Sequence, residues 1–540
     1  MNPKIAAMIQ QAKDRVAARQ LILSSTSTIK DQLSLDYNKE QMQAIELGIQ
    51  GKNFCLIGAA GTGKTTVTQE LIRLLERASH VRPLESGTKY LVANTPSIVI
   101  CGFTNKSVNN IKKKLPYHLQ PHCLTMHKLL EYRPVFYDII NKETGELART
   151  MRFAPNRNEA NPLPHISTLI IEESGSVSSE LFSELLVALP RRGVTQFIFL
   201  GDLNQLPPVF GPSILGFKLT ELTTIELTHV YRQALESPII KLATDIRLNQ
   251  NHLQLKATTT IDNASHGNLT IHPWKKRVSK EAALQMMTSF LPRIIEAKEY
   301  NPEEDMILCP FNKSFGTVEL NNIIADYLGK QRNATVFEVI ARYKKTYWAE
   351  GDQVMVDRHD AVITKITRSI SYIGKLPVPE SATLDRWGFD PNNKNTMITA
   401  DPMEELDRLA NEDEEAKNLA SHLVTVYIPD LDIERTLNTA GEINSMTFGY
   451  CLTVHKAQGS EWNTVFLLLH DSHAIMLSRE LIYTAVTRAK HKLYIVCEGD
   501  NGKVNSLTRA AQRPMIPGLS LQEKIAFFQS KVTSLNGTME

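Results

Sequence analysis

The run Gly58-Ala59-Ala60-Gly61-Thr62-Gly63-Lys64-Thr65 constrains this chain more than any other stretch. Glycines at these spacings let backbone N–H groups turn toward phosphate oxygens, and a helix starting at the lysine adds its N-terminal dipole. Such a loop needs a strand running into it and a helix leading away. The apolar run Asn53 to Ile57 supplies the strand, and Thr65 to Arg77 supplies the helix. In that setting Lys64 is placed to reach β- and γ-phosphates and the Thr65 hydroxyl to hold Mg²⁺. By itself the loop says only that a nucleotide binds.

Its company says more. Leu169-Ile170-Ile171-Glu172-Glu173 ends an apolar strand on two carboxylates. Phosphoryl transfer needs one carboxylate near Mg²⁺ and another to orient or deprotonate the attacking water. Asp202 and Gln205 follow the strand Phe197 to Leu200, and Pro207-Pro208 stiffens what comes next. A glutamine there suits sensing of a γ-phosphate, with a plain turn residue as the alternative. Arg232 in Tyr231-Arg232-Gln233, and Arg488 in Tyr483-Thr484-Ala485-Val486-Thr487-Arg488, are candidate cations for transition-state charge. Gln41, upstream of the loop, can read an adenine edge through its amide. With Thr453-Val454-His455-Lys456-Ala457-Gln458-Gly459, these spaced motifs describe a motor that hydrolyses a nucleotide.

Composition sets limits. At 540 residues the chain is too long for one ordinary core, so two to four domains are expected. Its 60 basic and 58 acidic residues leave a net charge of +2, which neither announces nor excludes a nucleic-acid partner. The basic clusters Lys112-Lys113-Lys114, Lys275-Lys276-Arg277 and Arg342 to Lys345 read most simply as solvated faces, as does the acidic run Asp401 to Glu415. The six cysteines form no CxxC pair, and several lie in apolar strand-like runs. Small buried hydrophobes in a reducing compartment are the expectation, with no zinc site. With no signal-peptide core and no membrane-length apolar run, a cytoplasmic protein with no membrane partner is expected.

Residues 4 to 22 read as a helix, and 24 to 28 as a linker. Strands at Ile98 to Cys101, Thr168 to Ile171 and Phe197 to Leu200, with helices between them, predict a parallel α/β sheet. Residues Val135 to Ile140 and Leu147 to Phe153 flank Asn141-Lys142-Glu143-Thr144-Gly145-Glu146 and predict a hairpin. A second α/β unit is expected from near Ile225, with strands at Met306 to Cys309, Val465 to Leu469 and Leu493 to Cys497. A mixed stretch at about 345 to 445 is inserted in it, with strands at Gln353 to Val356 and Val424 to Ile428. Phe103-Thr104-Asn105-Lys106-Ser107 is echoed by Phe311-Asn312-Lys313-Ser314. Each follows an apolar strand and precedes a helix-like run containing Asn-Asn-Ile. The echo is either coincidence or two similar domains offering one element to one kind of ligand.

The set resembles the superfamily 1B helicases of the RecD type, most of all their phage members, from about Leu33 to Val496. The segments Gly201-Asp202-Leu203-Asn204-Gln205-Leu206-Pro207-Pro208 and Thr453 to Gly459 carry the resemblance most specifically. It implies an α/β fold of two RecA-like parallel-sheet motor domains with an inserted wedge hairpin and an inserted SH3-like β-rich subdomain. The corresponding divisions are an extension at 1–30, a first motor domain at 31–220 with the hairpin insertion at 131–165, and a second at 221–344 and 446–500. The inserted subdomain spans 345–445, and a further extension 501–540. The resemblance implies that Gln41, Gly58, Gly61, Thr62, Gly63, Lys64, Thr65, Thr66 and Gly459 bind ATP. It assigns Lys64, Glu172, Glu173, Gln205, Arg232 and Arg488 to its hydrolysis, with Mg²⁺ on Thr65 and Glu172. It lays Phe103, Thr104, Asn105, Lys106, Thr125, His127, Asn312, Lys313, Thr453 and His455 along single-stranded DNA, and implies 5′→3′ travel.

Two departures stand out. Glu172-Glu173 replaces the usual Asp-Glu and is followed by Ser174-Gly175-Ser176. Gly102-Phe103-Thr104 stands where Ala-Pro-Thr is usual, so Phe103 is either the stacking partner of a base or a core phenylalanine. The expected activity is that of an ATP-dependent DNA helicase, monomeric, working on single strands and single-strand/duplex junctions alongside replication or recombination proteins. An RNA helicase of the same superfamily and a non-translocating ATP-driven remodelling switch are the alternatives.

Overall fold

The structure, a computed structural model, describes residues 35–78, 80–140, 147–208, 212–230, 236–248, 259–263, 267–274, 278–302, 304–313, 315–341, 344–356, 359–369, 419–429, 433–500 and 503–537. The chain divides into two compact units, one of residues 1–277 and 454–540, the other of residues 278–453.

The first unit is organised by six parallel strands: β1 (Phe54–Gly58), β2 (Ile98–Gly102), β3 (Cys123–Thr125), and, after a hairpin of β4 (Arg133–Ile140) with β5 (Leu147–Ala154), β6 (Thr168–Ile171), β7 (Gln196–Gly201) and β8 (Thr223–Leu227). Their order across the sheet is β3-β2-β6-β7-β1-β8. Parallel strands covered on both faces are apolar at nearly every position, and β1, β2 and β6 are buried throughout. Alternate residues feed opposite cores. Cys55, Ile57, Val99, Cys101, Leu169 and Ile171 enter one, and Phe54, Leu56, Ile98, Ile100 and Ile170 the other.

Strand β8 corrects one expectation. Residues 223–227 do not open a second α/β unit; they pair in parallel with β1, Ile225 opposite Leu56. The apolar side chains Ile225 and Leu227 complete the core beside Phe54 and Leu56, a long-range register that no local pattern displays. The hairpin is present, in register from Arg133 opposite Ala154 to Ile140 opposite Leu147. Its turn, residues 141–146, lies outside the described residues, as do the helix expected at 4–22, Arg232 with its neighbours, Lys275 to Arg277 and the acidic run 401–415.

The same unit contains a second α/β arrangement. Strands Trp462–Leu468, Ala489–Asp500 and Gly267–Trp274 run parallel, and Thr259–Asn263 adds antiparallel to the last. The C-terminal stretch is more than an appendage. Helix Leu521–Gly537 lays Leu521, Ile525 and Phe528 against the core of the six-stranded sheet. Ser520 accepts from the Glu523 amide while Glu523 accepts from the Leu519 and Ser520 amides, a reciprocal cap that fixes where this helix starts.

In the second unit Met306–Cys309 and Cys451–Thr453 pair in parallel, with helices Lys280–Glu296 and Thr317–Gln331 alongside in sequence. Antiparallel strands from Val336 to Phe448 build a β-rich insertion around its own core of Val339, Val354, Ile363, Val424 and Leu437. The insertion begins at Val336, ahead of the expected 345. Strand Val336–Ala341 pairs along its whole length with Lys344–Ala349 and cannot be cut from it. The two parallel-sheet α/β folds and the β-rich insertion are thus all present.

Docking of the last helix makes a prediction. A side chain added at Gly216 would meet the Phe528 ring at 2.4 Å. Gly216→Val should therefore lift helix Leu521–Gly537 from its seat, lower stability by about 1–3 kcal/mol and open the C-terminal segment to limited proteolysis. Thermal melting and a protease time course check it.

Candidate active site

Because the six strands are parallel, all their C-terminal ends lie at one edge of the sheet, where open α/β sheets bind ligands. That edge collects the glycine loop after β1, Phe103-Thr104 after β2, Thr125 at the end of β3, Glu172-Glu173 after β6 and Asp202 after β7. Strand β7 separates β1 from β6. The glycine loop and the two carboxylates are therefore roughly 10 Å apart, two strand spacings.

Local chemistry shapes the loop. Gly61 and Gly63 have φ of 80° and 87°, backbone that side chains disfavour. Gly63 caps the helix Lys64–Leu75, so Lys64, Thr65 and Thr66 form its first turn with amides facing the loop. Thr62 donates its hydroxyl to the Ala59 carbonyl at 2.8 Å, and a Cβ on Gly58 would strike that hydroxyl oxygen. The Lys64 ammonium lies across the loop, donating to the carbonyls of Gly58 at 2.5 Å and Ala59 at 3.2 Å.

Glu172 continues β6, its amide donating to the Cys101 carbonyl. Burial, reinforced by the neighbouring Glu173 carboxylate, pushes its carboxyl up to about 7 against an opposing pull from Lys64. Glu173 takes the left-handed conformation, φ 49° and ψ 43°. For a residue with a Cβ this costs about 1–2 kcal/mol, and strain of this kind gathers at functional sites. It turns the chain sharply, so that two successive carboxylates leave the strand in different directions. Ser174 then donates to the Leu200 carbonyl at 2.8 Å, pinning the turn to β7.

A buried polar network surrounds Asp202. Its Oδ1 accepts from the Asn204 backbone and side-chain amides at 2.9 and 2.8 Å, and its Oδ2 accepts from the Tyr483 hydroxyl at 2.7 Å. The Tyr483 oxygen in turn accepts the Ala60 N–H at 3.1 Å. Glycine loop, Asp202 segment and the helix Arg479–Val486 thus meet at one buried phenol. A step further, the Leu206 amide donates to Thr484 Oγ1 at 2.9 Å and Gln458 Nε2 donates to the Leu206 carbonyl at 2.7 Å. Gln205 lies between these anchors, and its buried Oε1 has no donor among the described residues. A polar atom so placed, beside a phosphate loop, suits a water or phosphate partner.

Arg488 sits differently from a poised cation. It is buried and bonded within its own neighbourhood: Nε to the Thr484 carbonyl at 3.0 Å, NH1 to Ser460 O at 3.1 Å and NH2 to Thr487 Oγ1 at 3.0 Å. It fastens the Gln458–Gly459–Ser460 turn to the helix. Gln41 is buried and part of a capping box, its Oε1 accepting from the Asn38 amide at 3.1 Å. Its amide oxygen is therefore engaged with its own helix start.

The residues expected along a nucleic-acid strand divide between the units. In the first, Thr104 and Thr125 are helix N-caps, accepting from the Ser107 and Lys128 amides. Helix starts aimed out of a sheet edge are anion sites. Phe103, His127 and Tyr132 make an aromatic series, with ring centres 5.6 and 4.9 Å apart, and Tyr132 donates to Glu184. Phe103 is half-buried and packs against the core, as a core phenylalanine would. Asn105 and Lys106 begin the helix after Thr104. Gly459 approaches this corner so closely that a Cβ there would lie 2.6 Å from Thr104 Oγ1. His455 is half-buried, and burial lowers its pKa. In the second unit Asn312 accepts from the Thr317 hydroxyl at 3.1 Å, Lys313 is exposed, and Thr453 is buried at the end of its strand. The sequence echo is structural in outline, since both copies join a strand end to a helix. The second takes a longer path, from Cys309 to Thr317. All six cysteines are buried, and burial pushes the thiols of Cys55, Cys123 and Cys309 up to about 12.

Tyr483, Thr484, Gln458 and Asn204 were not singled out from the sequence, although each lies inside a recognised motif. Their roles depend on partners far along the chain.

Two family models match: an AAA domain over residues 41–211 and a UvrD-like helicase C-terminal domain over 448–496. The chain is 26% identical over 460 residues to the ATP-dependent RecD2 DNA helicase of Deinococcus radiodurans, covering 85% of this chain and 48% of that protein. It is 21% identical over 514 residues to the RecBCD enzyme subunit RecD of Mycolicibacterium smegmatis, covering 90% and 75%. The chain thus spans about half the length of the first of these relatives. A crystal structure of Bacteroides Pif1 bound to ssDNA aligns over 92% of this chain and 98% of its own, with a TM-score of 0.43 and 14% identity.

The Glu172 environment predicts a pH effect on stability. Its folded pKa of about 7 lies above the ordinary 4.5. Folding therefore favours the protonated form. Stability is intact below the unfolded pKa and is lost as pH rises through the folded one. Glu172→Gln, neutral at every pH, should melt higher than the parent at pH 8. That advantage should vanish by about pH 4, near the unfolded pKa. Melting curves in chelator without nucleotide test this.

Proposed function

We propose that this chain, a member of the RecD-like helicases of superfamily 1B, is an ATP-driven motor that moves 5′→3′ along single-stranded DNA and separates duplex ahead of it. The observation that carries the reading is the single buried hydroxyl of Tyr483 shared between the glycine loop, through Ala60, and Asp202. A loop that only holds a nucleotide needs no such tie. A motor must transmit the state of its phosphates to other parts of the chain, and discrete packed elements do that.

In this reading the loop amides and Lys64 bind the phosphates of ATP. Thr65 and Glu172 would hold Mg²⁺, which would neutralise phosphate charge. A carboxyl raised by burial is one that a cation would readily ionise. Glu173 accepts the proton of the attacking water, and Gln205 orients that water through its unpaired oxygen. Arg232 and Arg488 supply positive charge to the leaving phosphate. For Arg488 this requires exchanging its bonds to Ser460 and Thr484. Gln41 reads the adenine. Phe103, Thr104, Asn105, Lys106, Thr125, His127, Asn312, Lys313, Thr453 and His455 follow the strand, chiefly through phosphates, so binding is sequence-independent and salt-sensitive. The hairpin of β4 and β5 supplies the wedge at a single-strand/duplex junction.

ATP turnover with and without a dT oligonucleotide tests the first claim. Single-stranded DNA should raise it manyfold, and Lys64→Ala should abolish it while leaving oligonucleotide binding intact. Stimulation by RNA and not DNA would make the chain an RNA motor, and no stimulation by either would leave an ATP switch. For the wedge, replacing residues 137–151 by a short Gly-Ser linker should keep DNA-stimulated turnover and cripple unwinding of a 5′-tailed duplex. Unwinding that persists, or that prefers a 3′ tail, counts against the wedge or the polarity respectively.

A further inference from the structure

The helix Leu521–Gly537 belongs to neither motif set, yet it delivers a charge to the hydrolytic segment. Lys524 is only 6% exposed. Its ammonium donates to Asn204 Oδ1 at 2.7 Å and lies 3.5 Å from the Leu203 carbonyl. Asn204 points its amide N–H groups the other way, into Asp202. A continuous line of bonds therefore runs from Lys524 through Asn204, Asp202 and Tyr483 to the Ala60 amide of the glycine loop. Gln205 is the next residue after Asn204, and its backbone amide is tied to the Asp202 carbonyl at 3.2 Å.

The approach to this helix is laced as well. Arg479 donates its amide to the Arg513 carbonyl and its Nε to Ala511 O, and the Glu480 carboxylate accepts the Met515 and Ile516 amides. The segment that carries Lys524 is thus built onto the same helix that carries Tyr483. A buried ammonium is costly to desolvate, and an apolar side chain of like length is commonly as stable or more so. Packing alone gives no reason for a lysine at 524. Holding the Asn204 amide in one orientation does.

We propose that Lys524 is a positioning residue for ATP hydrolysis. Through Asn204 it sets the Asp202–Gln205 segment, and so the Gln205 side chain, against the glycine loop. This rests on the proposed ATP-driven reading. Misplacing a catalytic group by about 1 Å can cost 10²-fold in rate; loss of one remote anchor is expected to cost about tenfold.

The test uses the full chain, ATP and a dT oligonucleotide, with Lys524→Met, Asn204→Ala and the double variant. Lys524→Met should lower kcat about tenfold, leave KM for ATP within twofold, and melt no lower than the parent. Asp202 keeps three donors, and half-buried Asn204 can turn to water. The double variant should be no slower than Asn204→Ala alone, since the lysine acts through that amide. A fall in kcat of less than threefold, a proportionate rise in KM, multiplying losses in the double variant, or a Lys524→Met protein that melts lower or does not fold would each overturn the proposal. In the last case the lysine is a structural anchor. A parent protein without DNA-stimulated turnover would instead strike the ATP-driven DNA reading itself.

Discussion

The Tyr483 hydroxyl bonds two groups that each lie hundreds of residues from it in sequence, the Asp202 carboxylate and the Ala60 amide. It is fully buried, so water cannot substitute for either bond. In such surroundings hydrogen bonds are strong, and each lost partner strands a desolvated polar group at a cost of about 1–3 kcal/mol. The glycine loop therefore cannot shift relative to Asp202 without disturbing the helix Arg479–Val486. That one constraint turns a set of local motifs into a connected site.

The parallel sheet provides the frame on which the constraint acts. Only in an all-parallel arrangement do the ends of β1, β2, β3, β6 and β7 reach the same edge, and each of them delivers at least one polar group there. The frame also explains the electrostatics. Glu172 leaves a strand buried on both faces, so its carboxyl is held up by desolvation, and Glu173 beside it adds like charge. The strained backbone at Glu173 separates the two carboxylates, which their adjacency in sequence would otherwise keep on one path.

Polar satisfaction divides the candidate residues in an informative way. Arg488 has three named bonds and Asp202 three, whereas the Gln205 oxygen has none among the described residues. Groups fully satisfied within the fold hold it in place. A buried group left unsatisfied is where a ligand gains most. Of these side chains the Gln205 oxygen is thus the one open to a partner, whereas Arg488 is engaged by the fold.

The sequence by itself determined the glycine loop, its strand and helix, the carboxylate pair at the end of β6 and the hairpin strands, because each is written in contiguous residues with short-range geometry. Glycines at Gly61 and Gly63 are required by backbone angles alone, and alternating burial follows from strand periodicity. The pairing of β8 with β1, the start of the β-rich insertion at Val336, the docking of the last helix, the phenol of Tyr483 and the ammonium of Lys524 were decided only by the tertiary structure. A lone tyrosine or lysine has no local signature of its partner. The Ser520-to-Glu523 cap marks only where a helix begins. Where that helix lies, and which loop its lysine reaches, depends on apolar faces meeting across hundreds of residues, and burial of that kind exists only once the chain has folded.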